Sequence, residues 1–175
     1  MTNIKHYSNI YNVLSRLTKL VGGNEMDIID KDSLYYLFLE IHRLHYYRTH
    51  VLLEEIGVYH GQPPMLFILS KHDGLSQKEL ADILKVKAST ITVMLKRMEK
   101  ANLVTRRQDS QDQRISRVYI TAEGLKLCKK ASQVMSTIEN ECFGNFTIEE
   151  TVILRRLFLQ MKDNLIVARD TEKLN

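Results

Sequence analysis

Apolar side chains recur every three or four positions along most of the chain, and this spacing predicts amphipathic helices. The chain has only seven glycines and two prolines, so few positions interrupt a helix. At two of the predicted helix starts a serine or threonine stands three residues before a glutamate, which is the pattern of a capping box. The predicted helices cover about residues 4–21, 32–56, 65–71, 76–84, 88–101 and 121–142, and a last one starts near Thr147.

The apolar spacing changes over residues 103–120. Residues 103–107 and 116–120 favour two short β-strands, and the polar stretch between them is too long for a tight two-residue turn. We therefore expect a hairpin that projects as a wing after the helix pair at about residues 76–101. Such a winged helix-turn-helix places its second helix in the major groove of duplex DNA. The expected fold class is mainly α with a small β-hairpin wing.

The chain divides into two predicted parts. Residues 1–30 form a helical extension, and residues 31–170 form the winged helix-turn-helix domain. The extension carries few cations, so we expect it to dock on the rest of the protein rather than on DNA.

The basic charge of the chain is concentrated on the helix pair and the wing. The whole chain carries a formal net charge of +4. Residues 71–117 hold eleven lysines and arginines against six acidic side chains, which leaves +5 and makes the remainder nearly neutral. Positive charge gathered on one module is what contact with DNA phosphates requires.

Five segments within residues 74–124 carry the most informative pattern of the chain. They are Gly-Leu-Ser-Gln-Lys-Glu-Leu-Ala at 74–81, Ala-Ser-Thr-Ile-Thr at 88–92, Leu-Val-Thr-Arg at 103–106, Asp-Ser-Gln-Asp-Gln-Arg at 109–114 and Ile-Thr-Ala-Glu-Gly at 120–124. In both order and spacing they resemble the MarR family of bacterial regulators, and the similarity covers about residues 32–168. The wing and the Thr-x-x-Gly that follows it are the most specific part. The resemblance implies a homodimer with long dimerisation helices, a palindromic DNA site, and a small-molecule, redox or metal signal.

The predicted DNA-contacting residues lie on the two short helices and the wing. Ser89, Thr90 and Thr92 open the recognition helix with short hydroxyl side chains, which suit base edges and phosphates. Lysine and arginine side chains suit flanking phosphates, and an arginine at the wing suits a narrow minor groove. Arg97 could instead turn inward against an acid. The predicted set is Ser76, Gln77, Lys87, Ser89, Thr90, Thr92, Lys96, Arg97 and Arg114.

Acidic side chains of the wing are expected to brace it rather than to face DNA, because a carboxylate repels phosphate. Asp112, and with it Asp109, is predicted to pair with Arg106 or Arg114.

The chain departs from the family pattern at three positions. Lys87 stands where a capping serine or aspartate is usual, so Ser89 is a candidate substitute cap. Asn102 replaces a common glycine at the end of the recognition helix, and Gln113 replaces a common arginine in the wing. These departures affect the predicted DNA contacts more than the fold.

The sequence leaves more than one kind of regulatory signal to consider, and the cysteines and histidines bear on the redox and metal alternatives. Cys128 and Cys142 lie on one predicted helix about 21 Å apart, so they cannot join within it, and we expect both to pack as small hydrophobes. A bond between subunits is the alternative. His42 and His45 lie one turn apart, but the sequence supplies no further ligands with metal-site spacing. We expect no bound metal and no cofactor.

His45, Tyr46 and Arg48 are the candidates for an effector pocket. Arg48 would pair with the carboxylate of a small-molecule ligand there. The alternative is a dimer interface that buries the tyrosine hydroxyls.

The sequence lacks the motifs of common enzyme classes. It has no glycine-rich phosphate loop, no His-Glu-x-x-His and no nucleophile elbow, so we expect no catalysis.

The sequence has no apolar run long enough for a membrane span and no secretory signal at its start, so we expect a cytoplasmic protein. A winged module that binds proteins instead of DNA is the alternative from another class, and the wing cations disfavour it.

Overall fold

The structure is a computed structural model that describes residues 32–59 and 61–172. The predicted extension at residues 1–30, with its helix, lies outside the described residues. The chain divides into two compact units, one up to Ala131 and the other from the next residue onward. None of the described helices is long and apolar enough to cross a membrane.

Helices and strands follow one another in the predicted order, with one strand added. The expected mainly helical fold with a winged helix-turn-helix is confirmed. The long helix α5 begins in the first unit and ends in the second. The elements are α1 (Leu34–Glu55), α2 (Gln62–Lys71), β1 (Leu75–Ser76), α3 (Gln77–Leu84), α4 (Ala88–Lys100), β2 (Val104–Gln108), β3 (Ser116–Ile120), α5 (Ala122–Phe143) and α6 (Ile148–Glu172).

Helix α2 begins three residues earlier than predicted. Pro63 and Pro64 lie in its first turn, where the backbone N–H has no partner within the helix and the fixed φ of proline is already helical. The side chain of Gln62 is buried, and its Oε1 accepts a hydrogen bond from the Tyr59 N–H at 2.9 Å. The two prolines therefore start the helix.

The sheet has three antiparallel strands in the order β1-β3-β2, where the sequence predicts two. The missed strand β1 has only two residues, which is too short for a recognisable alternating pattern. It pairs with β3 through Leu75 and Val118. On the other edge of β3, Arg107 of β2 faces Arg117. Strand β3 is therefore hydrogen-bonded along both edges.

The core of the first unit lies beneath the short helices and the sheet. Ile91, Leu95 and Met98 of α4 are fully buried, as their helical spacing predicts. Full burial of side chains of this size stabilises a fold by about 1.5–3 kcal/mol each, so α4 is held firmly by one face. The side chains packed with them are Met65, Leu66, Leu69, Leu80, Ala81, Leu103, Val104, Val118 and Cys128.

The start of α5 approaches the backbone before β2 very closely. The Thr121 N–H donates to the Leu103 carbonyl oxygen at 3.0 Å, and Thr121 Oγ1 accepts from the Gly124 N–H at 3.0 Å, so Thr121 caps the helix. A Cβ on Gly124 would lie 2.1 Å from the same Leu103 oxygen and 2.8 Å from Ile120 Cγ1. The glycine of the Thr-x-x-Gly motif is therefore required by this backbone approach.

The second unit holds the end of α5 and the whole of α6. Thr147 opens α6 with the predicted capping box, because its Oγ1 accepts from the Glu150 N–H at 3.2 Å and its own N–H donates to Glu150 Oε2 at 2.9 Å. Most apolar side chains of α6 are exposed in the single chain, among them Val152 and Leu165 at 64% and 63%. Extensive exposed apolar surface of this kind marks an association site.

We expect Gly124→Ala to destabilise the protein by about 2 kcal/mol. The added methyl group collides with a backbone oxygen that cannot rotate away, and such overpacking costs about 1–3 kcal/mol. The better helix propensity of alanine returns at most about 1 kcal/mol. Equilibrium unfolding in urea measures the difference. Lys129→Ala, at an exposed position of the same helix, is the control and should change stability by less than about 0.5 kcal/mol; equal stability of the two variants contradicts this account.

Candidate nucleic-acid interface

Helix α4 presents a polar face directly opposite its buried one. Ser89, Lys96 and Arg97 of the predicted recognition helix all lie exposed on this outward side. Val93 lies among them with 52% of its surface exposed, although the sequence-based prediction gave it no role. The available signal was an apolar residue on a polar helix face, and its isopropyl group suits contact with a thymine methyl.

The recognition helix begins without a side-chain cap. Lys87 occupies the N-cap position, and its side chain makes no capping hydrogen bond. Ser89 and Thr90 are exposed in the first turn beside it. The N–H groups of a helix start and the positive end of the helix dipole suit an anion such as phosphate. The suggested role of Ser89 as a substitute cap stays a prediction.

A side-chain hydrogen bond ties together the starts of α3 and α4. Thr92 Oγ1 donates towards Gln77 Oε1 at 3.2 Å and towards the Ala88 carbonyl oxygen at 3.0 Å. Ser76 is the N-cap of α3, and its Oγ accepts from the Glu79 N–H at 3.2 Å in the predicted capping box. Three residues of the predicted DNA-contacting set therefore also hold the helix pair in shape.

Nested hydrogen bonds to aspartate shape the wing loop. Asp109 Oδ1 accepts from the N–H groups of Gln111 at 2.8 Å and Asp112 at 3.0 Å. Asp112 Oδ1 accepts from the backbone N–H of Arg114 at 2.9 Å, so its partner is not the Arg114 guanidinium that the sequence suggested. Both carboxylates turn towards the backbone of the loop, and the side chain of Arg114 is exposed beside them.

The partners predicted for the other charged residues of the wing are wrong. Arg106 Nε donates to Glu99 Oε1 of α4 at 2.7 Å, and this bond raises the pKa of the guanidinium. Asp109 pairs with Arg117 instead. The cause is the alternation of side chains along a strand. Arg106 shares a face with its register partner, the buried Val118, whereas Arg117 lies on the opposite face, towards the aspartate.

Arg117 has no role in the sequence-based prediction, yet it makes three contacts. It bonds through Nε to Asp109, donates from Nη1 to the Gly74 carbonyl oxygen at 3.0 Å, and lies 3.8 Å from Glu79 Oε2. The bond from Arg117, followed by those from the backbone N–H groups of the loop, lowers the pKa of Asp109 to about 2. Bonding to Asp109 in turn raises the pKa of Arg117. The sequence feature that could identify Arg117 is its place as the single arginine within the short strand Ser-Arg-Val-Tyr-Ile.

Arg107 is held by an aromatic ring. Its guanidinium carbon lies 5.1 Å from the centre of the Tyr119 ring, within the range of a cation–π contact. The same ring packs on Gly74, whose φ is +77°, and a Cβ there would come within 3.1 Å of Tyr119 Cε1. Arg107 is exposed, so this contact orients a cation at the base of the wing.

The candidate effector residues lie on α1. His45 and Arg48 are exposed and Tyr46 is half-buried in the single chain, and their place in a pocket stays a prediction. Next to them, Thr49 Oγ1 and His50 Nδ1 are buried polar atoms for which the described part of the chain supplies no hydrogen-bond partner. Leaving such atoms unsatisfied costs about 1–3 kcal/mol, so they are candidate contacts for a ligand.

The two cysteines lie on α5, as predicted. Cys128 is buried in the core and Cys142 is half-buried, and the two are not bonded to each other. Over residues 32–59 and 61–172, no group of three or more His, Cys, Asp or Glu side chains is arranged to hold a metal ion. The burial of Cys128 among apolar side chains agrees with a packing role.

We expect the stabilisation by Asp109 to disappear in acid. Because its pKa falls from the ordinary 3.8 to about 2 on folding, the ionised carboxylate stabilises the fold above about pH 4, and this contribution is lost as the pH falls from about 4 to about 2. The stabilities of the natural chain and of Asp109→Asn in urea unfolding should differ by a constant amount above about pH 5. The difference should start to shrink below about pH 4 and be largely lost near pH 2. Asp82→Asn, at an exposed acid of α3, is the control. A gap for Asp109→Asn that is independent of pH contradicts the assignment.

Two proteins of Bacillus subtilis (strain 168) are similar in sequence. The chain is 33% identical over 87 residues to an organic hydroperoxide resistance transcriptional regulator, and the match covers 50% of this chain and 59% of that protein. It is 33% identical over 106 residues to the HTH-type transcriptional regulator YwoH, with 61% of this chain and 77% of YwoH covered. The first match thus spans less than two thirds of the relative's own length.

A similar solved structure and a matching family model point to the same family as these relatives. A mutant of S. aureus MepR bound to an oligodeoxyribonucleotide is 25% identical, with a TM-score of 0.55 over 76% of this chain and 98% of that one. The sequence model of the MarR family matches residues 60–116, from the start of α2 to the start of β3. With the helix pair, the wing and the Thr-x-x-Gly approach in place, the chain belongs to the MarR family of transcriptional regulators.

Proposed function

We propose that this chain is a cytoplasmic, homodimeric repressor that binds a palindromic DNA site, occludes a promoter and is released by a small molecule. The observation that carries the proposal is the division of α4 into two faces. One face is fully buried, and the other exposes Ser89, Lys96 and Arg97 beside the exposed wing residue Arg114. A helix presented in this way can lie in the major groove while the wing reaches the adjacent minor groove.

The division of the cations into ion-paired and solvent-facing side chains supports contact with phosphate. Carboxylates neutralise Arg106 and Arg117. In the part of the chain that the structure describes, Lys96, Arg97 and Arg114 take part in no ion pair, so their charges are directed to solvent. The neighbouring MepR structure was solved with an oligodeoxyribonucleotide, which adds support because the fold is shared.

Exposed apolar surface on the long helices supports a dimer. Leu34, Ile41 and Leu44 of α1 are 86%, 62% and 51% exposed in the single chain. On α6, Ile148 and Val167 are 80% and 66% exposed. Removing such surface from water contributes about 25 cal/mol per Å². A two-fold dimer carries two recognition helices, which suit half-sites about one helical turn apart.

We expect the purified chain to select a palindromic duplex from a random pool and to bind it less tightly as salt rises. Each phosphate contact contributes about 0.9 to the slope of log affinity against log salt. Arg114→Ala and Lys96→Ala should therefore each reduce that slope by about 1. Fluorescence anisotropy at several salt concentrations measures the slopes.

Lys129→Ala is the matched control for these variants, because it removes an exposed charge outside the recognition helix and the wing. It should leave the salt slope unchanged. Sedimentation should give twice the 20.4 kDa of the single chain, and the footprint should show dyad symmetry. A monomer, or a footprint without a dyad, argues against the proposal.

We expect Thr49 to contribute to the response to the small molecule. The buried Thr49 Oγ1 and His50 Nδ1 can be satisfied by a ligand that both donates and accepts hydrogen bonds. Thr49→Val keeps the shape of the side chain and removes the hydroxyl, so compounds found to release the DNA should act up to about tenfold more weakly on it. An unchanged dose response would remove Thr49 from the proposed site.

A further inference from the structure

We propose that Arg117 is a positioning residue that couples the wing to the helix-turn-helix, so that the wing tip and α4 meet DNA in a fixed relation. The inference rests on the proposed DNA-binding function and concerns how its two contact elements are held together. Arg117 lies on β3, the strand that pairs with the wing partner β2 on one edge and with β1, at the start of the helix pair, on the other.

Three parts of the fold meet at the Arg117 guanidinium. Its Nε bonds to Asp109 Oδ2, on the carboxylate whose other oxygen shapes the wing loop. Its Nη1 donates to the Gly74 carbonyl oxygen at 3.0 Å, in the turn that leads into β1. The same Nη1 lies 3.8 Å from Glu79 Oε2, and this oxygen also accepts from the Ser76 N–H at 2.7 Å. One carboxylate oxygen therefore serves both the start of α3 and Arg117.

A guanidinium is suited to this place because it donates in several fixed directions within one plane. The side chains of Arg117 and Asp109 are only 34% and 11% exposed, which separates this pair from a solvated surface ion pair. Hydrogen bonds between charged groups in such surroundings are strong and directional. The network can therefore hold the wing at a set angle to α3.

The charge balance separates Arg117 from the DNA-contacting cations. Asp109 and Glu79 both face its guanidinium, and the pKa of each carboxyl lies below its ordinary value. For Glu79 the main cause is the backbone N–H of Ser76, and Arg117 adds to it. Both acids stay ionised at neutral pH and offset the positive charge of Arg117. Arg107, directly opposite on β2, instead rests on the Tyr119 ring.

Loss of Arg117 should loosen the wing while leaving the recognition helix in place. The buried side chains beneath α4 and the pairing of β2 with β3 do not involve the guanidinium. A wing that moves presents Arg114 at no fixed position, and ordering it on DNA then has an entropic cost that offsets the contact. The contribution of Arg114 to binding should therefore depend on Arg117.

A double-mutant cycle on DNA binding tests this dependence. Affinity and salt slope are measured for the selected duplex with the natural chain, Arg114→Ala, Arg117→Gln and the double variant. We expect Arg114→Ala to weaken binding about tenfold when Arg117 is present and less than about twofold in the Arg117→Gln background. A tenfold loss in both backgrounds overturns the proposal.

Arg107→Gln is the matched control, because it removes the same charge from the position that faces Arg117 and leaves the network intact. In that background Arg114→Ala should still weaken binding about tenfold. If Arg107→Gln abolishes the effect of Arg114→Ala as well, loss of charge rather than loss of coupling is responsible, and the proposal fails.

Hydrogen exchange of the free protein gives a readout that does not need DNA. Arg117→Gln should speed exchange of the backbone amides at residues 110–115 by about tenfold and leave those of α4 unchanged. Unchanged exchange in the wing, or an equal increase in both elements, overturns the proposal. Arg117→Lys keeps the positive charge but removes the planar set of donors that reaches both Asp109 and Gly74, and it should loosen the same amides even if Arg117→Gln folds poorly. If the natural chain binds no duplex, the proposed DNA-binding function is wrong. The hydrogen-exchange result still tests whether Arg117 couples the wing to the helix pair.

Discussion

The pairing of β3 along both of its edges is the constraint on which the winged helix-turn-helix depends. Side chains alternate along this strand, so Val118 is fully buried while Arg117 and Tyr119 lie on the opposite face. A slip of one residue would exchange the two faces and place an arginine in the core. Two antiparallel neighbours prevent this slip, and the same register that buries Val118 brings Arg117 to Asp109 and Gly74.

This arrangement also determines which charged side chains are paired locally and which face solvent. Three acids of the module are engaged in local bonds: Glu99 pairs with Arg106, Asp109 pairs with Arg117, and Glu79 accepts from the Ser76 N–H at the start of α3. Their charges are thereby offset locally. The long cations on the outward face of α4 and on the wing are not offset in this way, so the module turns a positive surface to solvent although it contains six acidic side chains between residues 71 and 117. Such a surface suits a polyanion.

Local features of the fold could be predicted from the sequence, whereas long-range partners could not. The capping boxes at Ser76 and Thr147 depend on residues three positions apart, and the buried stripe of α4 on residues three or four apart. The outward position of the α4 site residues follows from that stripe. The bond from Arg117 to Gly74, in contrast, spans 43 positions, and the bond from the Ile120 N–H to Asp73 spans 47. Spacing alone cannot select such partners, which is why β1 is missed. Asp109 and Arg117 are only eight positions apart, and the sequence assigns Asp109 the wrong arginine because the choice depends on which face of the sheet each arginine occupies.

The glycine at position 74 restricts which residues fit at positions 119 and 107. Its bare Cα leaves space that the Tyr119 ring fills, and the ring in turn orients Arg107. A Cβ at position 74 would come within 3.1 Å of Tyr119 Cε1, so the ring that holds Arg107, more than thirty positions along the chain, would have to shift. Relatives that carry a bulkier residue at this turn should therefore have a smaller residue at the place of Tyr119, and their wings should rely on a different source of positive charge.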